Sequence, residues 1–223
     1  MLHSGSRGVG QHIGRCFIDK ALERHHKEGH AAPFGMGWLD EGTPEFDDYV
    51  QAMTWAQAYA QTNREVLLGL LMQVLSERVG RKVGLIDQVV QCHHNYVVRE
   101  TWDDEEVWIT RKGAVSAREG QRAIVPGSMG TGSFIVEGRG HPDSWCSCAH
   151  GADRVMSRLQ ARQQFTTKDL KRQTLGVECR QDKTILDELP SAYKNIQHVM
   201  EDQQDLVKRQ PYWKYMKKCS KTV

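Results

Sequence analysis

The chain has 223 residues, 39% of them hydrophobic and 26% charged, with a formal net charge of +2. That length holds one large domain or two small ones, and the apolar fraction supports a sizeable core. The charge balance excludes a globally basic nucleic-acid coat, so any nucleic-acid contact has to use a local patch, and no apolar run is long enough to span a bilayer.

After Met1 and Leu2 the residues are mostly polar or glycine, which does not read as a signal-peptide pattern. The six cysteines, at 16, 92, 146, 148, 179 and 219, are scattered rather than spaced as a disulfide framework. A reducing cytoplasm fits that usage, with metal binding or packing as the cysteine roles. Ten histidines prompt a search for a metal site, although His25, His26 and His30 sit in a polar run and read as surface.

Leu2 and His3 read as the end of a buried strand. A glycine-rich loop follows, in which Gly5, Gly8 and Gly10 permit positive φ and close backbone approach, and Arg7 is placed to grip a phosphate. No βαβ context accompanies it, so it fails as a dinucleotide fingerprint. Ile13, Phe17, Ala21 and Leu22 predict an amphipathic helix from about Gln11 to Glu28, closed by Gly29. Residues 31–42 read as a loop. Thr43 and Pro44 then give an N-cap and a proline at the first helical position. A long helix runs from there to about Val79, with Gly80 as its stop. Phe46, Val50, Met53, Ala60, Leu67, Leu70, Leu71 and Val74 mark its buried stripe. Asn63 and Arg64 interrupt the stripe, as a solvated face or as a functional pair.

Strand-like runs at 83–86, 89–90, 96–99 and 107–110 are dominated by β-branched and aromatic residues. Among them lies QCHHN. His93 and His94 on a strand would point to opposite faces, so at most one serves a given site. RKGA and a turn-rich stretch lead to IVPGSMGTGSFIVEG. Its small residues, Pro126 to Ser133, form a loop between strands. The loop is either an ordinary hairpin connection or a row of backbone N–H groups suited to an anion.

The stretch SWCSCAHGADRVMSR, 144–158, carries the most chemistry. His150 precedes Gly151 and Ala152 and then a segment that reads as a helix to about Gln163. A helix start there favours phosphate, and Arg154 and Arg158, four apart, would share one helix face. Imidazole, phosphate cradle and guanidinium groups together suit nucleophilic attack on phosphorus; a helix start with an incidental histidine is the alternative. A helix capped at Thr166 or Thr167, a short strand at 177–180 and a helix after Pro190 follow. The tail, KRQPYWKYMKKCSKTV, is basic and aromatic, which suits a nucleic-acid contact or a frayed terminus. With no internal repeat and no low-complexity linker, one α+β domain over 1–223 is the expected architecture.

Taken in order, HSGSRGVG, CHHNYV, RKGA, PGSMGTGS and CAHGADRVMSR resemble the RtcB family of RNA ligases. Asn63-Arg64 and PSAYKNI, Pro190 to Ile196, fall in register with it. The resemblance covers nearly the whole chain and implies the C-terminal half to two-thirds of an RtcB-like domain, N-terminally truncated relative to the family. The implied activity joins RNA 2′,3′-cyclic phosphate or 3′-phosphate ends to 5′-hydroxyl ends, in tRNA splicing and RNA repair, with GTP and manganese (Mn2+). The resemblance makes His150 the nucleophile that takes up GMP, which requires a neutral imidazole. His3 and His94 match metal ligands, and Asn95 is implied in GTP contact beside His94. Pro126, Gly127, Ser128, Met129 and Ser133 match the guanosine-contacting loop, and Gly151, Ala152 and Asp153 the lining of the GTP site. Arg7, Arg64 and Arg154 are the expected RNA phosphate contacts.

The chain departs from the family pattern in three ways. Asp153 stands where the family's HGAG has its last glycine, which puts a carboxylate beside GTP phosphates. The upstream D-x-x-C and GNHF motifs, which complete the metal site and part of the GTP site, are not in this sequence. That leaves His3 and His94 where a stable site needs more ligands, and Cys146 and Cys148 are no assumed replacements. The family ends in a GTP-contacting lysine; this tail is diverged, with Lys221 as a candidate equivalent. Two classes of function follow: a ligase polypeptide, as a truncated gene product or as one half of a split enzyme whose partner chain carries the upstream half, or a non-catalytic remnant or accessory subunit that binds RNA or GTP. A metal-dependent phosphohydrolase is a third reading. Unpartnered apolar edges would make the isolated chain poorly soluble.

Overall fold

The computed structural model describes residues 2–30, 32, 35–85 and 89–210. Ile86, Cys219 and the tail from Pro211 onward, with Lys221, lie outside the described residues. Helices and small antiparallel sheets make the chain α+β, as expected. It divides into two compact units, Met1–Gln88 and Val89–Val223. Among the described residues no helix is long and apolar enough to cross a membrane.

The first unit is helical. Helix α1 (Arg7–Lys27) begins at Arg7 rather than near Gln11, so Gly8 and Gly10 lie in its first turns and not in a loop. Neither uses positive φ; Arg7 does, at 56°. Gly10 instead permits close approach, since a Cβ there would meet Ser6 Oγ at 2.0 Å. Leu2 and His3 are not in a strand. At the far end Gly29 (φ 71°) donates to the His26 carbonyl and His30 to that of His25, the paired bonds of a Schellman stop. His25, expected at the surface, is buried. Its Nε2 lies 3.2 Å from the Trp38 carbonyl oxygen and 3.3 Å from the Trp38 amide, and the two rings meet edge-on.

Helix α2 (Pro44–Val79) has the limits the sequence predicts. Thr43 Oγ1 accepts from the Phe46 N–H, and Pro44 occupies a position that needs no donor. Gly80, at φ 69°, closes the helix: its N–H donates to Glu77 and that of Arg81 to Ser76. Thr43→Ala is expected to cost about 1 kcal/mol, read as a lower urea midpoint in the helical circular dichroism signal; an unchanged midpoint would show that this cap carries nothing. The stripe is only partly inside. Of its residues Ala60 is buried, as is Ala56 outside it, whereas Leu70, Leu71 and Val74 are exposed, against expectation.

The second unit holds the sheets. Strands β1 (Asn95–Trp102) and β2 (Glu105–Lys112) form a hairpin running from Asn95↔Lys112 to Trp102↔Glu105. Its turn residues Asp103 and Asp104 have φ of 49° and 64°, the left-handed pair that a two-residue hairpin turn requires and that Asp tolerates. His93 and His94 precede β1 instead of lying on a strand, and residues 83–85, 89–90 and 177–180 are not in strands. Strand β3 (Ala114–Ser116) pairs with β6 (Ser147–Ala149). Strands β4 (Arg122–Pro126) and β5 (Ser133–Gly138) form the predicted hairpin, and β7 (Val207–Arg209), which the sequence reading lacks, pairs with the other edge of β5.

Alternate residues of β4 and β5 (Ala123, Val125, Phe134, Val136) enter one core with Val115, Cys148, Ala152, Ile196 and Met200. Burial pushes the Cys148 thiol up to about 12, with the Cys92 thiol adding to the effect, so its role is packing. Helices α3 (Arg158–Gln164) and α4 (Thr167–Gln173) both open with capping boxes, Ser157 with Gln160 and Thr166 with Asp169. Helix α5 (Ile196–Asp202) starts from an Asn195 cap.

Candidate functional site

His150 leaves the end of β6, and Gly113 decides how its ring sits. Gly113 joins β2 to β3 at φ 70°. Its N–H donates to the His94 carbonyl at 2.9 Å and reaches Asn95 Oδ1 at 3.2 Å. Its carbonyl accepts the His150 N–H at 3.3 Å and lies 2.8 Å from His150 Nδ1. A carbonyl oxygen only accepts, so Nδ1 carries the proton and donates. In the neutral ring the lone pair is then on Nε2, which is the arrangement a nucleophilic imidazole needs. The His94 ring stacks on the His150 ring, with centroids 5.2 Å apart and planes 4° apart. His93 turns to Tyr96 instead, so one of the two adjacent histidines joins the site. CHHN, RKGA and AHGAD thus meet around one glycine.

The fourth motif joins through the backbone. The Ala152 N–H donates to the Pro126 carbonyl at 2.9 Å, and a Cβ on Gly151 would stand 2.7 Å from that oxygen. The loop from Gly127 to Gly132 is a closed hairpin connection. Gly127 N–H bonds to Gly132, Ser128 N–H to Thr131 Oγ1, and Thr131 N–H to Ser128. Met129 packs on the Leu170, Leu186 and Leu189 cluster, and Ser133 pairs with Pro126. Three of the loop's amide donors are therefore engaged within it, which favours the hairpin reading of this segment.

No helix follows Gly151. Residues 151–157 are irregular and α3 begins only at Arg158. The expected phosphate cradle at a helix N-terminus is thus overturned, and Arg154 and Arg158 do not share a helix face. The cause is tertiary. Val155 N–H donates to the Ala192 carbonyl, Lys194 N–H donates to that of Asp153 at 2.8 Å, and Arg154 bridges to Tyr193. Arg154 Nη1 donates to the Tyr193 hydroxyl and its guanidinium covers that ring at 4.9 Å. Arg158 and Arg162 converge on Asp187. Burial alone would raise that carboxyl, but the two guanidinium hydrogen bonds outweigh it and hold Asp187 below the usual carboxylate range. Asp153 lies 3.7 Å from His150 Nδ1 through Oδ1 and 3.9 Å from Lys194 Nζ through Oδ2.

The remaining singled-out residues belong to the first unit. Asn63 donates to Ser4 Oγ and the Gly5 carbonyl, and Arg64 Nη1 to the Ser4 carbonyl at 3.3 Å. The Asn63-Arg64 pair therefore pins the segment between His3 and Arg7. Among the described residues no group of three or more His, Cys, Asp or Glu is placed to hold a metal ion. These residues do not by themselves fit a manganese ion, which favours several oxygen ligands. Sequence reasoning singled out neither Gly113 as the organising residue nor Lys194 as the Asp153 partner; RKGA and PSAYKNI were the available signals.

A family model described as "tRNA-splicing ligase RtcB" matches residues 1–214. "RNA-splicing ligase RtcB1" of one Escherichia coli strain is 48% identical over 212 residues, covering 93% of this chain and 52% of that protein. "RNA-splicing ligase RtcB" of Escherichia coli K12 is 47% identical with the same coverage. "RNA-splicing ligase RtcB" of Mycobacterium tuberculosis is 29% identical over 223 residues, covering 90% of this chain and 51% of that protein. The chain spans about half the length of the curated relatives it matches.

Proposed function

Because the chain belongs to the RtcB family, we propose that it is an RNA ligase polypeptide in which His150 takes GMP from GTP and passes it to an RNA 3′-phosphate. The observation that carries this reading is the Gly113 carbonyl 2.8 Å from His150 Nδ1, an acceptor that in the neutral ring assigns the lone pair to Nε2. Nε2 attacks the α-phosphorus of GTP, an N–P bond forms and pyrophosphate leaves. The GMP then moves to the RNA 3′-phosphate, and an RNA 5′-hydroxyl oxygen attacks that phosphorus and displaces GMP. Substrates with a 2′,3′-cyclic phosphate enter after opening to the 3′-phosphate. The biological setting is tRNA splicing or RNA repair in the cytoplasm.

Asn95, the Pro126–Met129 loop, Ser133, Gly151, Ala152 and Asp153 are the GTP-contacting residues in this reading, supported by the convergence of Gly113, His150 and Pro126 backbones. Arg7, Arg64 and Arg154 take RNA phosphates. In this reading His3 and His94 would be two ligands of a manganese site that the described residues do not complete. The remaining ligands come from outside these residues, on a separate chain or on the same one. All of 1–223 then serves one ligase domain.

Asp153 beside His150 supports a second reading, a non-catalytic remnant or accessory subunit that binds RNA or GTP, because its carboxylate opposes a polyphosphate. The test that separates them is incubation with α-labelled GTP and manganese, alone and with the upstream half of the K12 relative. Protein-bound label that survives denaturation and is lost in acid is the expected result. No label in either mixture would overturn the ligase reading.

A further inference from the structure

The second half of α2 takes no part in the site around Gly113, yet its composition is that of a buried helix. Residues 66–75 hold eight apolar side chains, one glycine, one glutamine and no charge. A helix that is apolar on all sides belongs in an interior, and this one is not in an interior. No residue of α2 after Ala60 is buried. Val66, Leu70, Leu71, Val74, Leu75 and Val79 are 40% to 59% exposed. Helix α1 meets the first half of α2 instead, through the Phe17 and Tyr49 rings, and the segment before α1 reaches Asn63 and Arg64. At about 100° per residue, Val66, Leu70 and Val74 line one side and Leu71, Leu75 and Val79 the next, an exposed arc of about 220°. Gly69 lies within this stretch, and a Cβ there would meet nothing within 4 Å. Glycine weakens a helix interior relative to alanine. Nothing among the described residues uses the missing side chain, whereas a body that approaches the backbone closely does.

We infer that this half of α2 is the surface on which the upstream half of an RtcB ligase seats, with its closest approach at Gly69. The inference rests on the reading of this chain as one part of a ligase, and it names where the parts join. The curated relatives are about twice as long as this chain, so the rest of such a protein is a body of comparable size. Burial of apolar surface is favourable roughly in proportion to its area, and an arc this wide takes a trough that closes around the helix. A second copy supplies no such trough. Two helices packed ridge into groove cover one stripe on each, about 100° wide, which leaves one of the two exposed rows in water. An RNA strand does not fit, because no cation lies between Arg64 and Arg78. A membrane surface fits no better, because helices that lie on one carry a lysine- and arginine-rich polar face. The partner surface is therefore apolar and uncharged where it meets residues 66–75. Asn63 and Arg64, which pin Ser4 and Gly5, lie about one turn before this surface, so the joint also steadies the segment between His3 and Arg7.

The test is co-expression of the full chain, tagged, with the upstream half of the K12 relative, with no GTP or manganese added. The two should co-purify in equal amounts, and amide exchange over residues 66–79 should slow roughly tenfold or more in the complex. Leu70→Asp with Val74→Asp, and separately Leu71→Asp with Leu75→Asp, should each cut recovery of the upstream half roughly tenfold or more. Both pairs should raise the soluble yield of the chain expressed alone, since they break up an exposed apolar face. Gly69→Gln should keep or strengthen the helical signal of the chain alone and weaken the complex. Failure to co-purify overturns the proposal, as does unchanged recovery in either aspartate pair. A lower soluble yield of those variants expressed alone also overturns it, because the face would then lie inside this chain's own fold. Self-association that the aspartate pairs abolish, with the upstream half still bound, would assign the face to a second copy instead. GTP is absent throughout, so a complex that later takes up no GMP refutes the ligase reading and leaves this result intact.

Discussion

His150→Ala is expected to reduce protein-bound GMP to background. The variant removes the imidazole that the Gly113 carbonyl orients at the centre of this constellation. No neighbour replaces it geometrically: the stacked His94 ring is displaced by 5.2 Å, and Cys148, two residues upstream, is a buried thiol pushed up to about 12. The fold should tolerate the change. The backbone N–H of residue 150 still donates to Gly113, so the loss is one side-chain hydrogen bond and one ring stack, about 1 to 2 kcal/mol. Loss of label with a retained melting transition is the result to look for. Label that persists in His150→Ala would place the nucleophile elsewhere.

The second large effect is on stability. Arg111→Ala is expected to destabilise the second unit by about 3 to 5 kcal/mol. The Arg111 and Glu100 side chains are only 1% and 5% exposed, and their ion pair is 2.7 Å long. Arg111 also donates to Ser147 Oγ and to the Trp145 carbonyl, each at 2.9 Å. Trp145 and Cys146 are consecutive non-glycine residues at positive φ, 51° and 45°. The guanidinium thus ties the β1–β2 hairpin to the strained entry of β6, which carries His150. Removing it leaves Glu100 buried with Arg118 and Trp102 as its remaining partners. Glu100→Leu with Arg111→Met should recover most of the loss, because a well-packed apolar pair removes both desolvation costs. A loss below about 1 kcal/mol for Arg111→Ala would mean that the pair is surface-like.

The same pair sets an acid dependence. Burial alone would raise Glu100, but the hydrogen bonds from Arg111 and Trp102, with the Arg111 and Arg118 charges, outweigh it and hold the carboxyl below the ordinary glutamate value. A carboxyl depressed in the folded state contributes stability that is present above its unfolded value and is lost as pH falls through the folded one. Stability of the second unit should therefore decline below about pH 4. Glu100→Gln should flatten that decline while lowering stability at neutral pH. An unchanged acid profile in Glu100→Gln would count against the assignment.

The local signals were legible where local chemistry decides. Thr43, Pro44 and Gly80 fix both ends of α2 because a cap is a contact between near neighbours in sequence. The hairpin around Gly127–Gly132 and the helix capped at Thr166 follow for the same reason. The failures share one cause. The segment after His150 has the composition of a helix start, but its backbone groups bond to Pro126, Ala192 and Lys194, which are remote in sequence. The burial of Glu100 and Arg111 has no local signal in the sequence and comes from tertiary packing. His25 sits among charged residues, yet Trp38 covers it. The apolar stripe of α2 was legible as a pattern, while its exposure at Leu70, Leu71 and Val74 is a tertiary fact. In the site, motif order brought out His94, Asn95, His150 and the Pro126 loop, and the glycine that joins them emerged only from the fold.

The most direct measurement is to locate the GMP on the protein. The chain, with the upstream half of the K12 relative supplied, would be loaded with GTP and manganese, digested at neutral to alkaline pH and fragmented in a mass spectrometer. The account predicts a single acid-labile adduct on the peptide containing His150. The same adduct found on a lysine, Lys112 or Lys194 for example, would contradict it; both phosphoramidates are acid-labile, so the residue that carries the GMP decides.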